Sequence, residues 1–130
     1  MKYGTPFLYP GLNMVKVNEQ VNIVEREKNM MTYENVLRET IIVINKKNNT
    51  NYTKEDVIGK SRKTEIVEIR HCACYILSIN EIGSLKAIGR YFGGRDHSTV
   101  INARRVWSGY IEMYKNYRMY TNMILRALDV

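Results

Sequence analysis

Residues 91–105, YFGGRDHSTVINARR, set an acid, an imidazole and a hydroxyl side by side at Asp96, His97 and Ser98. Those groups are the parts of a nucleophilic relay, in which a base takes a hydroxyl proton and a carboxylate holds the base. Their spacing speaks against it, because consecutive residues in one helical turn point in different directions. The glycines just before them raise phosphate binding as a second chemistry. GRYFGG, residues 89–94, is not G-x-G-x-x-G, since Tyr91 stands where the second glycine belongs. VIGKS, residues 57–61, ends like a phosphate loop, but Lys54 takes the place of the first glycine and no apolar strand leads in. His71, Cys72 and Cys74 raise metal binding. Residues two apart on a helix do not face each other, and the remaining histidine, His97, completes no tetrahedral set. The thiols are expected reduced, in or near a core, with no metal or other cofactor and no enzymatic activity.

What remains is recognition. The chain of 130 residues carries a net charge of +7 and is 45% hydrophobic, enough to fold as one small domain. Residues 60–105 hold nine Lys/Arg against four Asp/Glu, whereas residues 1–59 hold eight against seven. Positive charge concentrated around the unusual motif is the footprint of an anionic partner such as nucleic acid. The N-terminus lacks the apolar run of a signal peptide, and no segment approaches membrane-spanning length, so the expectation is a cytoplasmic, nucleoid-associated protein.

The elements that position the motif are helical. Residues 1–14 hold both prolines and read as an irregular arm, and Val21, Val24 and Met31 suggest a modest helix over 18–31. Thr32 can cap a helix carrying Val36, Leu37, Thr40, Ile41 and Ile44 at helical spacing, although the β-branched run 41–44 would also suit a strand. TKED, residues 53–56, fits a capping box. A helix after Thr64 lines up Ile66, Ile69, Ala73, Ile76 and Leu77. A short helix from near Ser84 shares Leu85, Ile88 and Phe92 on one face, Gly93 and Gly94 allow a tight reversal, and Asp96 can cap the next helix by accepting near Thr99. Val100, Ala103 and Trp107 give that helix a buried side. Helix, glycine turn, helix is the helix-turn-helix arrangement, and its second helix would expose Asp96, His97, Ser98 and Thr99 to base edges.

GRYFGGRDHSTVINARR resembles the signature of the DNA-binding domain of the DnaA family of bacterial replication initiators, G-x-x-F-G-G-R-D-H-[ST]-T-V followed by a basic helix. EDVIGKSRKTEIVEIR, residues 55–70, resembles the loop and helix that precede it there, at the same separation. The resemblance covers 32–107 and implies an all-α, Trp-repressor-like helix-turn-helix domain there; outside it, residues 1–31 read as an N-terminal extension and 108–130 as an extra C-terminal helix that packs on the domain or forms an interface. It implies binding of double-stranded DNA at short, partly A·T-rich boxes, in replication initiation or its regulation. Asp96, His97, Ser98 and Thr99 would read the major groove and Arg62 the minor groove, while Lys60, Lys63, Arg70, Lys86, Arg95 and Arg104 would meet phosphate. These roles agree with base chemistry: Asp accepts from cytosine N4, Thr meets the thymine methyl, and Arg suits a narrow A·T minor groove. Three positions depart from the family, with Ser98 for the commoner Thr, Lys86 for proline and His71 for glutamine. The initiator's ATPase module is missing, which points to an excised domain or a stand-alone protein of phage or mobile-element origin.

The C-terminal segment crowds Trp107, Tyr110, Ile111, Tyr114, Tyr117, Met119, Tyr120, Met123, Ile124 and Leu128 into one or two helices. Such a stripe fits core packing, or a homodimer or replication-protein contact. Two alternative functions share the fold: a protein-interaction module, and a transcriptional regulator acting on an unrelated operator.

Overall fold

The computed structural model describes residues 30–128, so the expected N-terminal arm and nearly all of the helix over 18–31 lie outside the described residues. Six α-helices, and no strand, occur among the described residues: α1 (Tyr33–Asn48), α2 (Lys54–Ile58), α3 (Thr64–Ile79), α4 (Leu85–Tyr91), α5 (His97–Met113) and α6 (Lys115–Ala127). The fold class is all-α, as the periodicity predicts.

The helix starts follow their caps. Thr32 Oγ1 accepts from the Asn35 amide at 3.1 Å, and Ser84 Oγ from that of Ala87 at 3.0 Å. Thr53 and Asp56 exchange side-chain and backbone bonds in a full capping box. The run 41–44 is helical, not a strand: Val43 and Ile44 are buried while Ile42 is exposed, a pattern that α1 satisfies by turning one face to α3. α1 stops at Asn49, whose left-handed φ of 57° reverses the chain.

α3 is the central element, packed by α1, α2, α4 and α5, and α6 closes over α1 and α5. The core gathers Leu37, Ile44, Ile69, Ile76, Leu77, Ile88, Phe92 and Trp107, all essentially inaccessible to water. Each such side chain contributes roughly 1.5–3 kcal/mol of burial. Cys72 and Cys74 are buried free thiols in this core, and burial pushes the Cys74 thiol up to about 12. Val100, Ala103 and Trp107 are the buried residues of α5, as expected.

The expected boundary at 107/108 falls inside α5, which runs unbroken to Met113. α6 then delivers Ile124 and Leu128 to the same core, and Trp107 Nε1 donates to Thr121 Oγ1 at 2.9 Å. On the same face of α6, Tyr117 donates to Glu68 at 2.8 Å, a carboxylate also bonded by Lys47 at 3.0 Å and Asn48 at 3.0 Å.

Candidate nucleic-acid interface

α4, the turn after it and the start of α5 form the predicted helix-turn-helix. Phe92 anchors the end of α4 in the core. Gly93 and Gly94 follow with φ of 83° and 77°, a left-handed conformation that side chains resist. Two main-chain bonds close the turn, from Gly94 N to Arg90 O at 3.2 Å and from Arg95 N to Gly89 O at 2.8 Å.

Asp96, His97, Ser98 and Thr99 are all exposed at the beginning of α5. Asp96 holds the N-cap position, but its side chain makes no capping bond; its main-chain carbonyl accepts the Thr99 amide at 3.0 Å. This corrects the expected cap. The carboxylate instead accepts from the Ser98 hydroxyl at 2.6 Å and lies 3.2 Å from His97 Nδ1. The Ser98 bond, with the amide and imidazole of His97, holds the Asp96 carboxyl below the usual aspartate range. The N-cap position, just outside the helix, lets the Asp96 carboxylate reach both neighbours. They still form no relay: hydroxyl and imidazole both end on the carboxylate, and the imidazole does not stand between them.

Along α5, Ser98, Ile101, Asn102 and Arg105 are exposed and follow helical spacing, so they form one stripe opposite the buried side. Arg105 donates to Asn102 at 2.6 Å. The sequence reading missed Ile101, Asn102 and Arg105, although the i, i+3, i+4, i+7 spacing from Ser98 carries the signal. Arg104 is exposed but flanks the buried side, near Tyr75 of α3. Lys86 is exposed on α4.

Lys60, Arg62 and Lys63 are exposed on the loop between α2 and α3. Beside Arg62 opens a shallow cavity of about 240 Å³, which reaches His71, Tyr110 and Tyr117. Burial and the neighbouring Arg70 lower the pKa of His71, favouring the neutral ring.

The two remaining arginines are placed differently from the expectation. Arg70 is only 8% exposed; its Nε donates to Val57 O at 2.6 Å, and its Nη2 to Gly59 O at 3.1 Å and Ser61 O at 2.6 Å. Arg95 is half-buried, with Nη2 donating to Gly59 O at 2.7 Å and Nη1 to Ile58 O at 3.2 Å and to Phe92 O. Both guanidiniums are spent on carbonyl oxygens, which leaves Arg70 poorly placed for the phosphate contact expected of it.

A family model described as bacterial dnaA protein helix-turn-helix matches residues 42–106. The chain is 53% identical over 51 residues to the chromosomal replication initiator protein DnaA of Chlorobaculum tepidum, covering 39% of this chain and 10% of that protein. It is 31% identical over 104 residues to that of Oenococcus oeni, covering 76% and 23%. With that of Brucella abortus biovar 1 it shares 44% over 55 residues, covering 42% and 11%. The chain thus spans between a tenth and a quarter of the length of these curated relatives. No solved structure gives a significant match.

Proposed function

The chain belongs to the bacterial DnaA helix-turn-helix family, and from that premise we propose that it binds double-stranded DNA at short, specific sites in replication initiation or its regulation, without ATPase activity of its own. The observation that carries this reading is the joint exposure of Asp96, His97, Ser98 and Thr99 at the start of α5, beside a loop bearing Lys60, Arg62 and Lys63. A helix of this kind enters the major groove by its first turn. His97 and Thr99 offer a ring nitrogen and a methyl to base edges, and Asp96 can accept from cytosine N4. Arg62 reaches the adjacent minor groove, where a narrow A·T tract attracts a guanidinium. Lys60, Lys63, Lys86 and Arg104 supply phosphate contacts, with Arg105 as an addition from the exposed stripe of α5.

Selection from random duplexes at fixed salt tests the proposal. The expected result is one enriched short motif, bound with an affinity that falls steeply between low and physiological salt as counterions are released. No enrichment, or a flat salt dependence, contradicts it.

A contact to a second copy or to a replication protein through the C-terminal segment is supported by the exposure of Met113, Tyr114, Met119 and Met123. Sedimentation of the free chain tests the homodimer: a single species at monomer mass across concentration excludes it.

A further inference from the structure

We propose that Arg70 and Arg95 are positioning residues, a paired guanidinium clamp on the main chain of the basic loop that fixes Arg62 relative to the first turn of α5. The proposal rests on the DNA-binding reading for its consequence, and on geometry alone for the clamp. Between them the two side chains bond four carbonyls, those of Val57 and Ile58 at the end of α2 and those of Gly59 and Ser61 in the loop that follows, and both meet at Gly59 O. Arg70 reaches the loop from α3 and Arg95 from the helix-turn-helix turn, so the loop is tied to both elements at once. A second observation places the turn in direct contact with the end of α2, where the loop begins: a Cβ on Gly93 would stand 2.4 Å from Ile58 O.

The chemistry of the clamp differs from that of a phosphate hook. Burial and the adjacent Arg95 charge lower the pKa of Arg70, so two like charges sit together. Among the described residues, neither arginine is in an ion pair with a carboxylate; carbonyl dipoles hold them. The planar fork of arginine can bond several carbonyls in fixed directions, which a lysine ammonium cannot reproduce. A phosphate contact, by contrast, mainly needs the charge. Arg→Lys therefore separates the two roles.

The test compares Arg70→Lys, Arg70→Ala and Arg95→Lys with Arg62→Ala and the unmodified chain. Affinity for a selected and a scrambled duplex is measured across salt, and hydrogen exchange is followed without DNA. The clamp predicts faster exchange of the loop amides at 59–63 with the α3 core amides at 76 and 77 unchanged. It also predicts a loss of specific over non-specific affinity of roughly tenfold, ~1.4 kcal/mol, comparable to Arg62→Ala, at an unchanged salt slope. Wild-type exchange in the loop of both lysine variants overturns the clamp. So does full retention of specificity by Arg70→Lys when Arg70→Ala lowers the salt slope by about one phosphate. Should Arg70→Lys not fold, Arg95→Lys, on the more exposed guanidinium, carries the same comparison. Exchange decides the clamp even if the unmodified chain binds no duplex, an outcome that would instead overturn the DNA reading.

Discussion

Asp96 occupies the N-cap of α5 while its carboxylate serves Ser98 and His97 rather than the Thr99 amide that a capping side chain would take. The position was legible from the sequence because Asp follows a glycine turn and precedes an apolar periodicity. The partner was not, because the Thr99 amide is taken by the Asp96 main-chain carbonyl and the Ser98 hydroxyl competes for the side chain. Asp96→Ala should therefore leave stability close to that of the unmodified chain, where removal of a side-chain cap costs about 1 kcal/mol. Urea unfolding checks this, and a loss at the capping value would show that the carboxylate caps in solution. Arg70 and Arg95 illustrate the same limit. Their charge is visible in the sequence, but the carbonyls that absorb them come from a loop that only folding brings near.

At the scale of elements, the glycine turn has two parts with one conformation and different surroundings. Gly93 and Gly94 share a left-handed φ, yet a Cβ on Gly94 meets nothing within 4 Å, whereas one on Gly93 meets Ile58 O at 2.4 Å. Gly94→Ala should cost about 1–2 kcal/mol of backbone strain. Gly93→Ala should cost a further ~1–3 kcal/mol of overpacking, and equal losses in chemical denaturation would contradict the packing of the turn on the end of α2. A second element-scale device joins α1, α3 and α6 at Glu68. Burial alone would raise its pKa, but bonds from Asn48, Tyr117 and Lys47 outweigh burial and lower it. A depressed carboxylate contributes stability that is complete above its unfolded pKa and is lost as pH falls through the folded one. Glu68→Gln should thus cost about 1.5–3 kcal/mol at pH 7, and the gap to the unmodified chain should narrow below about pH 4. A gap independent of pH would show that the charge is not what Tyr117 and Lys47 recognise. Helix starts at Thr32, Thr53 and Ser84 were legible because their caps are chemical signals. The far end of α5 was not: Gly109 lies within the helix and nothing in residues 108–113 breaks it.

Of the molecule's net charge of +7, five units fall in residues 60–105, nine Lys/Arg less four Asp/Glu, while α6 completes the core against α1 and α5. The all-helical class and the helix-turn-helix were readable from periodicity and the glycine turn. The apolar stripe of the C-terminal helix was readable as core or interface, but its partners were not, since Ile124, Leu128 and the Trp107–Thr121 bond meet only across the fold. No helix among the described residues is long and apolar enough to cross a membrane. The central claim is that the exposed first turn of α5 reads duplex sequence, and it is tested most directly by the ratio of specific to non-specific affinity for the unmodified chain, His97→Ala and Thr99→Ala at one salt concentration. Both side chains are exposed, so both variants should fold normally. Each should lose about 1–3 kcal/mol on the selected duplex and nothing on a scrambled one. An unchanged ratio in both folded variants would contradict the claim and make the motif a turn that shapes the fold without reading DNA.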